Sequence, residues 1–236
     1  LGFLARVFEP EPAGTLAKDN RHRLERVMRL REGDSFVITD GKGREARAVL
    51  KGQGAYELEE WQNPGREASI DLTLYAALTK GEKFDWLVEK AVELGVKTIV
   101  PVISQHCVVK KTSENKVERW QKIAISAMLQ CGGCVLPEVT APVKIEKLPQ
   151  HGSDVPGLIL YEQKLAASKT GFADFAMAGK ISVLTGPEGG FSPEEIDALR
   201  EKGWQTVWLG KRIFRAETAP LIALANLLSQ SWGIHS

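Results

Sequence analysis

The stretch that decides the fold is Ile181-Ser182-Val183-Leu184-Thr185-Gly186-Pro187-Glu188-Gly189-Gly190-Phe191-Ser192-Pro193-Glu194-Glu195. Its apolar start, Ile181 to Leu184, reads as a buried strand bounded by turn formers. Gly186, Gly189 and Gly190 then leave backbone with almost no side-chain cover, so a flat ligand can lie against peptide N–H and C=O groups. Ser192 has N-cap chemistry, Pro193 suits the first helical position, and Glu195 can complete a capping box. The order is strand, glycine loop, capped helix, and α/β proteins collect ligands at such carboxyl ends of parallel strands. Neither a P-loop, with its Gly-Lys-Ser/Thr ending, nor a Rossmann fingerprint, with spaced glycines and a later acidic residue, is present. Taken alone, the loop reads equally as a tight strand-to-helix turn that needs glycine for its own geometry.

A second unit of the same kind follows. Gln205 to Leu209 reads as a short buried strand, and Gly210-Lys211-Arg212-Ile213-Phe214-Arg215 crosses to Ala216-Glu217-Thr218-Ala219-Pro220, which opens a helix. Thr218 can cap that helix, and Leu221, Leu224, Ala225 and Leu228 recur at helical spacing. The connecting loop carries Arg212, Arg215 and Glu217, charges that a plain connector does not need.

Upstream, the grammar changes once. Residues up to about Trp61 read as short strands around a hairpin: Phe36 to Thr39, the turn Asp40-Gly41-Lys42-Gly43, then Arg44 to Leu50 and Ala55 to Glu59. A helix from about Arg21 to Leu30 is expected to bury Leu24, Val27 and Met28. Gln62-Asn63-Pro64-Gly65-Arg66-Glu67 reads as a linker. From Ile70 strands and helices alternate: strand Ile70 to Ala76, helix Lys83 to Leu94, strand Thr98 to Val102, helix Val117 to Leu129. A looser stretch from Thr140 to Gly157 precedes a strand from Leu158 to Tyr161. That alternation predicts a mostly parallel sheet covered by helices.

The pairing of Gly186-Pro187-Glu188-Gly189-Gly190 with Leu209-Gly210-Lys211-Arg212-Ile213-Phe214-Arg215-Ala216-Glu217-Thr218-Ala219 resembles the C-terminal signature of the RsmE family, SPOUT-class methyltransferases that modify N3 of a uridine in 16S ribosomal RNA. Arg26-Val27-Met28-Arg29, Lys90 with Glu93-Leu94-Gly95-Val96, and Arg119-Trp120 are similar to the family too, so the resemblance runs over nearly the full length. It implies an α/β SPOUT-type domain with a C-terminal trefoil knot over residues 67–236, preceded over residues 1–66 by a small PUA-like, RNA-binding β-barrel. It implies S-adenosyl-L-methionine as cofactor, held by Leu160, Thr185, Gly186, Pro187, Glu188, Gly189, Gly190, Leu209, Gly210, Ile213, Phe214, Thr218 and Ala219. It also implies a homodimer acting on 16S rRNA of the small ribosomal subunit. The chain departs from the family's usual residues at Arg23, Met28, Cys131, Gly133 and Phe214.

Chemistry narrows the catalytic candidates. Uridine N3 is a weak acid, so its methylation needs a group that favours the anion and a group that takes the proton. Arg215 suits the first task, because a guanidinium stays charged and its fork fits a carbonyl edge. Glu217 or Glu188 could serve the second. The alternatives are a SPOUT relative acting on another RNA or atom, and a non-catalytic RNA-binding relative, against which the intact Arg215 and Glu217 speak.

A net charge of +1 is low for a nucleic-acid binder, but basic residues cluster locally. Arg21, Arg23, Arg26 and Arg29 form one candidate RNA-binding group, and Lys110 and Lys111 lie in another. With 43% hydrophobic and 26% charged residues, no apolar run near membrane-spanning length and no signal-peptide pattern at Leu1 onward, a cytoplasmic protein is expected. Cys131-Gly132-Gly133-Cys134 and the upstream His106-Cys107 supply nominal metal ligands. Adjacent His106 and Cys107 could hardly reach one ion together, and Cys131 follows an apolar helix rather than opening one, as a thioredoxin-type pair does. No metal site is expected. His22, His106, His151 and His235 are scattered, and none is a catalytic candidate.

Overall fold

The computed structural model describes residues 4–110, 112–169, 171–175 and 178–231, with residues 230 and 231 by backbone only. Lys111, Trp232 and His235 lie outside the described residues. The chain divides into two compact units, Leu1–Glu67 with Ile125–Leu136, and Ala68–Ala124 with Pro137–Ser236.

The first unit holds strands β1 (Arg6–Phe8), β2 (Ser35–Thr39), β3 (Glu45–Gly52) and β4 (Ala55–Leu58) in that spatial order, β1 parallel to β2 and the rest antiparallel. Inward residues alternate along β2 and β3, and Val7, Phe36, Ile38, Ala48, Leu50 and Tyr56 close on Leu24 from the helix. The expected hairpin turn is held by Asp40, whose carboxylate accepts the backbone N–H groups of Lys42 and Arg44 at 2.8 and 3.1 Å.

The helical stripe differs from expectation. Helix α1 (Lys18–His22) widens into a π turn over Arg23–Val27, with the Met28 N–H reaching back to the Arg23 carbonyl and the Leu30 N–H to that of Leu24. The longer turn changes the phase of everything after it. Leu24 is fully buried, but Val27 is 66% exposed and Met28 44%. Arg29 adopts a left-handed φ of 61°, and Leu30 takes the place against the core that Val27 and Met28 were expected to fill.

Segment 62–67, read as a linker, is tied down. Gln62 and Glu45 exchange backbone hydrogen bonds. The Glu67 carboxylate accepts the N–H groups of Cys134 and Val135 at 2.6 and 3.2 Å. Arg66 donates to the Gly132 carbonyl and pairs with Glu45, as does Arg6. These partners come from sequence positions that a local reading cannot connect.

The second unit alternates as expected: β5 (Asp71–Ala77), α2 (Lys83–Glu93), β6 (Thr98–Ile103), α3 (Glu114–Cys131, whose last residues belong to the first unit), β7 (Glu138–Val139), β8 (Val143–Lys144), β9 (Gly157–Leu160), β10 (Lys180–Thr185), α4 (Pro193–Glu201), β11 (Trp204–Val207) and α5 (Ala219–Ser231). The strands form one seven-stranded sheet in the order β11-β9-β10-β5-β6-β7, with β8 also on β6, and every pairing is parallel. Purely parallel sheets need cover, which explains why β9, and β10 after Lys180, are buried along their whole length, with only Ser182 interrupting the apolar run Ile181 to Leu184. Ile159 and Leu184 pack with Ile196 and Leu199 of α4, while α5 packs on β10 and α2. Asp85 ties α2 to α3 by accepting from the Trp120 indole at 2.8 Å and from Arg119.

Two further expectations shift. The looser stretch from 140 to 157 contains β8 and a short helical turn with Ile145 and Leu148 buried. Its order comes from later residues: Lys202 donates to the Glu146 and Leu148 carbonyls, and the Trp204 indole to that of Pro149. The strand expected to reach Leu209 ends at Val207, because its partner β9 ends at Leu160 in the matching register. Trp208 and Leu209 are thereby released into the loop.

Candidate functional site

Three neighbouring strands, β9, β10 and β11, end at one cavity of about 520 Å³. That volume lies within the range of about 300–1,000 Å³ usual for small-molecule sites. Its wall is made of Leu160 to Glu162 after β9, Thr185 to Phe191 after β10, and Trp208 to Gly210, Arg212 to Glu217 and Ala219 after β11, with Lys83 from α2.

The glycine loop is fixed on both sides. At its end the predicted capping box is present: the Ser192 hydroxyl accepts the Glu195 N–H at 3.2 Å, and the Glu195 carboxylate accepts the Ser192 N–H at 3.0 Å. The other Glu195 oxygen accepts the Gln105 N–H at 2.7 Å, which brings the loop after β6 alongside. There His106 Nδ1 lies 3.0 Å from the Gly189 carbonyl. Gly190 has a φ of 67°, a conformation that glycine adopts without strain, and a Cβ on Gly186 would meet the Phe191 ring at 3.2 Å. The glycines thus serve the turn and the packing as well as leaving backbone open to the cavity.

Glu188 is anchored. Lys83 Nζ lies 3.0 Å from its carboxylate, and the Lys80 N–H donates to it at 3.3 Å. Burial alone would raise this carboxyl, but its own backbone N–H, Lys83 and Lys80 together hold it below the usual carboxylate range. Glu217 is placed differently. Its side chain is 13% exposed, Oε1 lies 3.9 Å from Arg215 Nη1, and Oε2 is buried with no hydrogen-bond partner among the described residues. Arg215 itself is 81% exposed in its side chain.

Of the residues singled out for cofactor contact, all line the cavity except Thr218, which stands at the head of α5, where its carbonyl accepts the Ile222 N–H. Both Arg215 and Glu217 line it. Sequence reading passed over Lys83, Tyr161, Glu162, Phe191 and Trp208 as wall residues, while Arg212 and Ala216 lie in the segment Leu209 to Ala219 that it gave to the cofactor without being singled out for contact. Trp208, Arg212 and Ala216 were legible from their place between motif residues; Lys83 and Glu162 come from distant segments and gave no local signal.

The basic groups part company. In the first unit Arg21, Arg26 and Arg29 are exposed and Arg23 half-buried, with Arg21 paired to Glu25 at 3.0 Å. In the second, the Lys110 ammonium is committed to the Ser104 and Gln105 carbonyls at 2.9 and 2.6 Å, closing its own loop. Cys131 is exposed and Cys134 buried; burial pushes the Cys134 thiol up, against the opposing Arg66, unlike a reactive thiolate. Among the described residues no group of His, Cys, Asp and Glu side chains is placed to hold a metal ion. No helix among them is long and apolar enough to cross a membrane.

Fold and cavity define a class: an α/β protein whose parallel sheet carries a cavity of small-molecule size at the carboxyl ends of three neighbouring strands. Comparison with known proteins narrows it. The family model described as an RNA methyltransferase domain matches residues 66–228, and one described as an RNA methyltransferase PUA domain matches residues 24–55. The ribosomal RNA small subunit methyltransferase E of Synechocystis is 36% identical over 222 residues, covering 92% of this chain and 73% of the relative; that of Bacillus subtilis is 30% identical, covering 94% and 92%. The crystal structure of a ribosomal RNA small subunit methyltransferase E from Neisseria gonorrhoeae bound to S-adenosyl methionine superposes with a TM-score of 0.81 at 32% identity, over 94% of this chain and 95% of that one. A probable rRNA methyltransferase from Porphyromonas gingivalis gives a TM-score of 0.85 at 28% identity, over 98% and 100%. The chain belongs to the family of ribosomal RNA small subunit methyltransferase E.

Proposed function

We propose that this protein is an S-adenosylmethionine-dependent methyltransferase that modifies N3 of a uridine in 16S rRNA of the small ribosomal subunit, in the cytoplasm. The observation that carries the reading is the single cavity wall that joins the open glycine backbone of residues 186–190 to Arg215 and Glu217. Its volume fits a ligand of nucleoside size. S-adenosylmethionine, when bound, supplies an electrophilic methyl group.

The chain's residues supply the rest. Backbone of Thr185 to Gly190 and of Leu209 to Ala219, with Leu160, holds the cofactor. Arg215 offers a permanent positive charge to the negative charge that develops on a uracil ring when N3 loses its proton. A carboxylate, Glu217 or Glu188, removes that proton. A stacked or paired uridine cannot present N3, so the target base must be single-stranded or flipped.

The same reading assigns residues 1–66 to a PUA-like, RNA-binding barrel and residues 67–236 to a SPOUT domain with a C-terminal trefoil knot. The four-stranded sheet of the first unit supports the former, and the convergence of the loops after β10 and β11 on one cavity supports the latter. Arg21, Arg23, Arg26 and Arg29, flanking the exposed Val27 and Met28, form the RNA-facing surface; of the second group, the Lys110 ammonium is held by its own loop, which leaves Lys111 as the candidate contact. A homodimer is supported by Ile213, 84% exposed on the cavity rim.

Calorimetric titration with S-adenosylmethionine, and with S-adenosylhomocysteine in parallel, tests the reading. Saturable binding of about one ligand per chain is expected. Absence of binding to the folded protein would favour an RNA-binding relative without catalysis.

A further inference from the structure

The first unit contains a hollow of about 340 Å³ between the end of its helix and the β3–β4 hairpin. Backbone irregularities shape it from both sides. On the helix side the π turn over Arg23–Val27 is followed by Arg29 at a φ of 61°, which drops Leu30 against the core and sends Arg31 and Glu32 back toward the hairpin. There the Gly33 N–H donates to the Leu50 carbonyl at 2.8 Å, and the Glu32 carboxylate would lie 3.1 Å from a Cβ on Gly52. On the hairpin side the two-residue loop Gln53-Gly54 has φ values of 54° and 82°, a turn in which Asn, Asp or Gly is the usual first residue. Arg29 and Gln53 are the only non-glycine residues with positive φ among the described residues. Gln53 lines the hollow and Arg29 directly precedes its Leu30. Side chains held at a left-handed φ cost stability, and such strain and π turns gather at functional sites.

The lining is chemically specific. Leu30 and Leu50 are apolar, while Arg26, Arg31, Glu32 and Gln53 bring two guanidinium groups, a carboxylate and an amide. None of these four side chains has a hydrogen-bond or ion-pair partner among the described residues. Neighbouring charges are already matched: Glu25 pairs with Arg21 at 3.0 Å, and Lys51, which feels the Glu32 charge, pairs with Glu57 at 2.7 Å.

Resting on the methyltransferase reading above, we infer that this hollow takes an unpaired guanine of the RNA, a base other than the one methylated. Guanine offers O6 and N7 as adjacent acceptors for a guanidinium fork, and N1–H with the C2 amino group as adjacent donors for a carboxylate. Its flat ring suits the apolar leucines. Adenine would set an amino group against the guanidinium and a ring lone pair against the carboxylate, two repulsions in place of hydrogen bonds. Proteins that read RNA sequence take splayed, single-stranded bases in this way.

Fluorescence anisotropy with the full chain tests the assignment, using a labelled single-stranded oligoadenylate that carries one guanosine, and its all-adenosine counterpart. The wild type should prefer the guanosine RNA by about tenfold or more, the worth of one good base-edge contact. Glu32→Gln and Arg31→Ala should each lose that preference. Gln53→Gly, which suits the turn better, should weaken guanosine binding without melting earlier than the wild type, so that lost binding is separated from lost folding. Equal binding of the two RNAs by the wild type, or a preference kept by both charge variants, would overturn the assignment. Guanosine monophosphate binding as tightly as the guanosine RNA would overturn it in favour of a free nucleotide. A wild type that prefers the guanosine RNA but neither binds S-adenosylmethionine nor methylates ribosomal RNA would instead overturn the functional reading beneath it.

Discussion

Removing Glu45 should destabilise the first unit. Glu45 pairs with two guanidinium groups, Arg6 and Arg66, and accepts a hydrogen bond from the Cys134 thiol at 3.5 Å. The Arg6 and Glu45 side chains are only 12% and 19% exposed, whereas Arg66 at 45% can turn to water. In Glu45→Ala the Arg6 charge stays buried without its counter-ion. Breaking one partner of such a pair costs about 3–5 kcal/mol, and the partial exposure argues for the lower end, about 3 kcal/mol. For a chain of this size that is a fall in Tm of about 6–12 °C, measured by circular dichroism. The pH dependence adds a second check. Burial alone would raise the Glu45 carboxyl, but a hydrogen bond from Arg6 and the charges of Arg6 and Arg66 hold it below the ordinary glutamate value of 4.5. A depressed folded-state value means the contribution is complete above the unfolded value and is lost as pH falls through the folded one. The gap between wild type and Glu45→Ala should thus be constant from neutral pH down to about 4.5 and narrow below it. If the unpaired charge is the cause, Arg6→Met combined with Glu45→Leu should recover most of the loss. A fall of less than 2 °C for Glu45→Ala, roughly half a kcal/mol, or a double variant no better than the single, would refute the reasoning.

Three further outcomes are expected. Ser192→Ala removes one arm of the capping box of α4 and should cost about 1 kcal/mol in urea titration. Gly190→Ala must hold a side chain at a φ of 67° with its Cβ 3.2 Å from the Glu162 carboxylate; the strain of about 1–2 kcal/mol should weaken S-adenosylmethionine binding by about tenfold in calorimetry. Arg215→Ala should abolish methyl transfer while leaving cofactor binding mostly intact, and unchanged turnover would remove Arg215 from the mechanism.

Much of this molecule could be read from local chemistry. Ser192, Pro193 and Glu195 announced the start of α4, and the run Ile181 to Leu184 announced a strand covered on both faces, because capping and burial leave their marks within a few residues. The cavity was largely legible for the same reason: most of its wall is built from two strand-loop-helix turns whose glycines and charges stand together in sequence. What escaped reading depends on distant partners. Val27 and Met28 point outward because the helix widens at Arg23, a choice settled by where Leu24 and Leu30 pack. Strand β8 and the turn after it are ordered by Lys202 and Trp204 from far along the chain. Lys83 and Glu162 reach the cavity only once the parallel sheet has assembled. The Arg6–Glu45–Arg66 cluster likewise joins residues that no short motif connects.

The central claim is transfer of a methyl group to uridine N3 of small-subunit ribosomal RNA. Its most direct test incubates the protein and labelled S-adenosylmethionine with small ribosomal subunits from cells that lack the family's enzyme, followed by reverse transcription of the 16S rRNA. A methyl on N3 blocks Watson–Crick pairing, so the account predicts label in 16S rRNA and one new strong stop next to a uridine, both absent with Arg215→Ala. Label without a stop, or a stop at a base other than uridine, would contradict it.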